Sequence, residues 1–243
     1  MRPGVLLVVL LACGKSERRA EPEEHTAPAA PQDPYARRRA ALVEELRGEG
    51  IGDARVLDAI GRVPRHELVP AAQREAAYED HPLPIGEGQT ISQPWVVATM
   101  TEAAAVEPGD TVLEVGTGSG YQAAVLAQLV TQVYTIEIVE PLGLRAKADL
   151  ARLGVRNVEV RIGDGYAGWP EHAPFDAILI TAAPPEIPKP LLEQLAVGGR
   201  LVAPVGEQDD AQELVVVTRR EDGYDRETIA LVRFVPMTGE AQR

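Results

Sequence analysis

The residue types and spacing best suited to chemistry lie between Thr111 and Gln122. There an apolar run, Thr111-Val112-Leu113-Glu114-Val115, empties into Gly116-Thr117-Gly118-Ser119-Gly120 and then Tyr121-Gln122. Such a run reads as a buried strand feeding a glycine loop that opens a helix. Glycines at alternate positions let the backbone approach a ligand that a Cβ would exclude, and the first helical turn aims free N–H groups at it. This is the layout of a nucleotide-cofactor site. The spacing is Gly-x-Gly-x-Gly with Glu114 two residues ahead, whereas a dinucleotide fingerprint is Gly-x-Gly-x-x-Gly with pyrophosphate at the helix N-terminus. The difference points toward S-adenosylmethionine and away from NAD. Glu114, Gly116, Thr117, Gly118 and Gly120 are the first candidate cofactor ligands.

Further candidates follow along the chain. Glu137 closes the apolar run Tyr134-Thr135-Ile136 about twenty residues past the loop, where an acidic side chain can accept hydrogen bonds from both ribose hydroxyls. Asp164 and Gly165 end the next strand in Gly163-Asp164-Gly165, where a carboxylate or a neighbouring N–H can read adenine; Asp-Gly is equally a common turn pair. All these positions fall at the carboxyl ends of parallel strands, the edge where open α/β sheets bind ligands.

Composition narrows the partners. The 243 residues carry a formal net charge of −13, which argues against nucleic acid, since binding there needs Lys and Arg on phosphates. A peptide or small molecule fits better. Cys13 is the single cysteine and the histidines His25, His66, His81 and His172 lack ligand spacing, so no metal is expected.

Positioning those residues requires an alternating architecture. Apolar runs at Val112–Val115, Val133–Ile136, Val158–Ile162, Phe175–Thr181 and Arg200–Val205 read as strands. Helices are expected over Tyr121–Val130, about Pro141–Leu153 and around Leu191–Leu195. The pattern is a doubly wound, mostly parallel α/β sheet. Short helices precede it from Tyr35, and Leu214–Arg219 with Thr228–Val235 form a C-terminal antiparallel hairpin through Asp222-Gly223. Tyr78–Pro94, with Pro82, Pro84, Gly86 and Gly88, reads as a long irregular loop of the kind that carries function. Ser92 in that loop either caps the helix that Pro94 opens or faces a ligand.

The N-terminus is a separate matter. Arg2, the run Val5–Ala12 and Leu10-Leu11-Ala12-Cys13 resemble a bacterial lipoprotein signal, with Cys13 as the acylated residue. Residues 1–13 are read as this signal-like segment, 14–34 as a disordered Pro/Ala/Glu-rich tether, and 35–243 as one methyltransferase domain. Acylation would attach the chain to the cell envelope. A start further downstream is the alternative, and it keeps the protein in the cytoplasm, where S-adenosylmethionine is made.

From roughly Ala40 to Pro236 the chain resembles the protein-L-isoaspartate O-methyltransferase family. The resemblance is carried by Leu83-Pro84-Ile85-Gly86-Glu87-Gly88-Gln89-Thr90-Ile91-Ser92-Gln93-Pro94, by Glu114 to Gln122, and by Thr181-Ala182-Ala183-Pro184-Pro185. Val205-Gly206 and Val232-Arg233-Phe234-Val235-Pro236 complete it. The glycine loop marks only a broad methyltransferase class, whereas Gln-Thr-Ile-Ser-Gln-Pro with Thr-Ala-Ala-Pro-Pro is far more specific. The resemblance implies that the sheet is of the S-adenosylmethionine-dependent methyltransferase (Rossmann-like) type and that the chain methylates the free α-carboxylate of isoaspartyl residues in damaged proteins and peptides, a repair activity. It implies Ser92 at the reacting carboxylate, Thr90 beside it, and Val205 and Gly206 near the substrate. Trp95 departs from the family, which often has tyrosine or histidine there. The chain is expected to act as a monomer. Rival readings are a small-molecule S-adenosylmethionine methyltransferase, an NAD-dependent oxidoreductase, and a lipid-anchored binding protein without chemistry.

Overall fold

The computed structural model describes Met1, residues 33–208 and residues 210–240. Cys13 and the signal-like segment after Met1 lie outside the described residues, as does nearly all of the expected tether. Every element below belongs to the unit Pro34–Arg243.

Parallel strands β3 (Thr111–Val115), β4 (Gln132–Glu137), β5 (Val158–Ile162), β6 (Phe175–Ile180) and β7 (Leu195–Val205) join β8 (Gln212–Arg219) and β9 (Tyr224–Val232) in one sheet of order β5-β4-β3-β6-β7-β8-β9. β8 and β9 run antiparallel to their neighbours. The chain winds outward from β3 to β5, then returns to β6 on the other side of β3. That reversal opens a crevice at the carboxyl ends of β3, β4 and β6.

Period-two side-chain alternation divides the core between the two faces of this sheet. Val112, Val133, Ala177, Leu179, Val202, Leu214 and Val216 bury on one face, and Leu113, Ile136, Ile178, Ile180, Leu201, Val215 and Val217 on the other. Helices α1 (Ala36–Gly48) and α2 (Ala54–Arg62) add a third cluster, in which Leu42, Leu46, Leu57 and Ile60 pack with Tyr121 and Val125 of α4 (Tyr121–Leu126) and Leu142 and Leu150 of α5 (Glu140–Arg152). The N-terminal helices thus cover the helices that flank the crevice.

Several boundaries differ from the sequence reading. The Tyr78–Pro94 stretch is more regular than expected: β1 (Leu83–Gly86) and β2 (Gln89–Ile91) pair as an antiparallel ribbon. Its turn holds Gly86, Glu87 and Gly88 all at positive φ, which two glycines make accessible. The strands are very short and one carries Pro84, which edge strands tolerate, so no alternation was visible. Helix α4 stops at Leu126 instead of Val130, because Gln128 and Leu129 donate three residues back and tighten the chain into turns. Helix α6 is Lys189–Glu193, and β7 begins already at Leu195, which pairs with Phe175 across a bulge that accommodates Gly198-Gly199. β9 ends at Val232 instead of Val235. Residues beyond it leave the sheet, and Ala183 donates to Val235 O while Met237 donates back to Ala183 O.

Candidate active site

The glycine loop is fixed from both sides. Gly116 and Thr117 donate to Ile136 O at 2.8 and 3.3 Å, tying the loop to the end of β4. Thr181 at the end of β6 donates through its hydroxyl to Gly116 O at 2.5 Å. A Cβ on Gly116 would stand 2.4 Å from that hydroxyl, with φ at +105°, so glycine is required here by the protein itself. Gly118, at φ +53°, has only Ile85 within ordinary contact of a notional Cβ, and lines the cleft. Gly120 does not line it: a Cβ there would press on Leu150 at 3.3 Å, so this glycine lets α4 sit against α5.

Two acidic side chains face the cleft, Glu114 and Glu137. Glu137 accepts from Gly118 N at 2.7 Å and Val139 N at 2.9 Å, which holds its carboxylate at the end of β4. Glu114 is fully buried; Thr135 donates to its Oε2 at 2.5 Å, the Thr135 and Thr117 hydroxyls lie 2.7 Å apart, and Oε1 has no partner among the described residues. Burial pushes the Glu114 carboxyl up to about 8; the Thr135 hydrogen bond opposes the shift, and the nearby Glu137 charge adds to it.

This donor set discriminates between cofactors. With no Lys or Arg among the described lining residues and the Glu137 carboxylate at the end of β4, the cleft disfavours a pyrophosphate, whereas the sulfonium and ammonium of S-adenosylmethionine are attracted. The unpartnered Glu114 oxygen and the glycine cradle fit that ligand.

The β1–β2 ribbon delivers Thr90 and Ser92 to the same cleft. Both also line an adjoining cavity whose wall includes Trp95, Arg233 and Phe234, so Ser92 sits at the seam between two spaces. The helix-capping reading of Ser92 does not describe this geometry. Helix α3 (Pro94–Ala104) has Gln93 at its N-cap position with no side-chain cap, and Asp80 instead accepts from Trp95 N at 2.7 Å and from Gln93 Nε2 at 2.6 Å. The Ser92 hydroxyl makes no hydrogen bond among the described residues, while its backbone carbonyl accepts from buried Arg65 Nη2 at 2.8 Å.

Other predicted positions are placed differently. Gly165 lines the cleft, but the Asp164 carboxylate is turned to backbone, accepting from Tyr166 N at 2.9 Å and Glu240 N at 2.8 Å. Val205 and Gly206 are not brought to Ser92. They line a separate recess with Glu186 and Glu207, because Gly206 donates to Pro184 O at 3.1 Å and follows the segment leading away from the cleft.

Sequence reasoning missed Arg65 and Asp80, which support the Ser92 loop from the N-terminal region. It also missed Met237 and Thr238, which line the cleft after the chain leaves β9. Ile138, a half-exposed apolar residue directly after Glu137, lines it too; its place beside the acidic strand end was a usable signal.

Comparison with known proteins agrees with this geometry. Residues 37–242 match the sequence profile of the family described as Protein-L-isoaspartate(D-aspartate) O-methyltransferase. The protein-L-isoaspartate O-methyltransferase of Synechococcus sp. (strain JA-2-3B'a(2-13)) is 55% identical over 223 residues, covering 89% of this chain and 91% of its own length. A solved structure named protein-L-isoaspartate O-methyltransferase superposes with a TM-score of 0.76 at 30% identity, over 84% of this chain and 67% of that one. A Plasmodium falciparum structure described as a beta-aspartate methyltransferase in complex with S-adenosyl-L-homocysteine gives 0.72 at 27% identity, over 82% of this chain and 98% of that one.

Proposed function

The chain belongs to the protein-L-isoaspartate(D-aspartate) O-methyltransferase family, and on that premise we propose that Ser92 orients the reacting carboxylate at the seam between cofactor cleft and substrate cavity. The activity is S-adenosylmethionine-dependent methylation of isoaspartyl residues, a protein-repair reaction. Bound S-adenosylmethionine supplies a methyl group on a sulfonium, which a carboxylate oxygen displaces to give a methyl ester and a neutral thioether.

The observation that carries the Ser92 role is its hydroxyl, without a hydrogen-bond partner among the described residues, on the wall shared by both spaces. A carboxylate is already ionised at neutral pH, so no general base is needed. What the protein must supply is alignment. One hydroxyl donor fixes one carboxylate oxygen and leaves the other to react, while Thr90 shapes the wall beside it. On the cofactor side, Glu137 accepts from ribose hydroxyls, Gly116, Thr117 and Gly118 admit the ligand to the backbone, Gly165 contributes to the far wall, and Glu114 offers its unpartnered oxygen to the cationic end.

Loss of one hydrogen bond to a charged group costs about 1.5–3 kcal/mol. Ser92→Ala should therefore reduce turnover of an isoaspartyl peptide roughly 10- to 100-fold, with S-adenosylhomocysteine affinity by calorimetry unchanged. Wild-type turnover in that variant would remove Ser92 from the site.

We read 35–243 as one methyltransferase domain acting as a monomer, preceded by the signal-like segment 1–13 and the tether 14–34. Cofactor supply favours a cytoplasmic location over an envelope-anchored form acylated at Cys13. Metabolic labelling of the full chain with a fatty acid distinguishes the two. Among the described residues no helix is long and apolar enough to cross a membrane, and no cluster of metal-ligating side chains occurs.

A further inference from the structure

Arg65 is fully buried, yet its guanidinium has little to hold it. Nη2 donates to Ser92 O at 2.8 Å, whereas Nε and Nη1 have no hydrogen-bond partner among the described residues. The guanidinium carbon lies 4.8 Å from the centroid of the Tyr121 ring, and Tyr121 itself lines the cofactor cleft. Among the described residues no carboxylate forms an ion pair with it. Asp80, whose field reaches it, gives both oxygens to Gln93 Nε2 and Trp95 N. Removing a guanidinium from water without a bonded counter-charge is strongly unfavourable, so a buried unpaired Arg calls for a reason beyond packing.

The site supplies that reason. The acidic side chains lining the cofactor cleft are Glu114 and Glu137, and neither attracts an approaching carboxylate. Arg233 on the wall of the second cavity is exposed to solvent, which screens it. Arg65 lies directly behind Ser92, bonded to its carbonyl, inside the protein where screening is weak. We propose that Arg65 is a positioning residue that fixes the Ser92 backbone and provides the buried counter-charge by which the site selects an ionised carboxylate. Its missing anionic partner is then the substrate itself, met across Ser92.

This rests on the methyltransferase reading and adds a charge-selection device to it. The charge acts on binding, not on the transfer step. Methyl transfer neutralises the carboxylate, so a nearby cation holds the bound substrate at least as strongly as the transition state, and its removal raises KM without raising the barrier from the bound state.

The test uses two fluorescent peptides, identical except that one carries the free isoaspartyl α-carboxylate and the other its carboxamide. Binding is measured to the full chain saturated with S-adenosylhomocysteine. Wild-type protein should bind the acid on the order of tenfold more tightly than the amide. Arg65→Met should lose that preference, with KM for the acid up about tenfold and amide binding changed far less, while loss of the anchor on Ser92 O lowers kcat as well. Arg65→Lys, which keeps the charge, should retain the preference. Equal binding of acid and amide by wild type overturns the proposal, and it does so even where Arg65→Met fails to fold. So does an Arg65→Met protein that keeps the preference, or that weakens acid and amide alike while losing kcat, the signature of a purely structural role. Failure of wild type to methylate the acid peptide removes the methyltransferase reading, and the charge-selection proposal falls with it.

Discussion

Glu114→Gln is a nearly isosteric change whose consequence follows from the burial of a single group. Glu114 is inaccessible to solvent on β3, with Oε2 bonded to Thr135 and Oε1 unpartnered. Burial raises its carboxyl from 4.5 to about 8. In the cofactor-free protein the folded state therefore keeps a proton that the unfolded chain has released. Stability is greatest below 4.5, falls as pH rises, and levels off above about 8. While the two states differ by one proton the slope approaches about 1.4 kcal/mol per pH unit. Between pH 5.5 and 7.5 the loss attributable to this group is about 2–3 kcal/mol. Glutamine keeps an oxygen for Thr135 and removes the titration. Urea denaturation of both proteins, freed of cofactor, at pH 5.5 and 7.5 reads the effect as a difference of differences, which cancels the other titrating groups. The variant should gain on wild type as pH rises. Parallel stability curves would show that Glu114 is charged in the folded protein and refute the reasoning.

Two further substitutions separate cofactor from substrate. Gly118→Val places a β-branched residue at φ +53°, where a Cβ meets only Ile85 at 3.6 Å; strain of about 1–2 kcal/mol leaves the fold standing, and S-adenosylhomocysteine binding by calorimetry should vanish. Normal affinity in a folded variant would contradict the loop's assignment. Asp80→Ala removes the acceptor for Trp95 N and Gln93 Nε2, which should cost about 1 kcal/mol of stability as a lost helix cap. KM for the isoaspartyl peptide should rise severalfold with cofactor affinity unaltered, and an unchanged KM would show that the Ser92 loop does not need this anchor.

The parts of the molecule legible in the sequence were those with local signatures. Val112–Val115 and Phe175–Ile180 could be read because buried parallel strands are continuous apolar runs, and Gly116, Gly118 and Glu137 because strand ends and glycine spacing are local. Gly120 was legible as a glycine but not in its role, since its contact with Leu150 crosses from α4 to α5. The β1–β2 ribbon escaped notice because Leu83–Gly86 and Gln89–Ile91 are only four and three residues long and Pro84 and Gly86 interrupt the first, which leaves too short a run for its alternation to be read. Arg65 and Asp80 were out of reach for a different reason. The block Val63-Pro64-Arg65-His66 reads locally only as a helix terminator, and nothing along the chain says that Arg65 will meet Ser92, 27 residues on. Asp164 shows the converse: its Asp-Gly signal was equally that of a turn, and its carboxylate bonds Tyr166 N and Glu240 N.

The most direct test of the account is transfer of labelled methyl from S-adenosylmethionine to an isoaspartyl peptide and to its normal aspartyl twin. Base-labile label on the isoaspartyl peptide alone is the predicted result. Label on both peptides, or on neither, would contradict it.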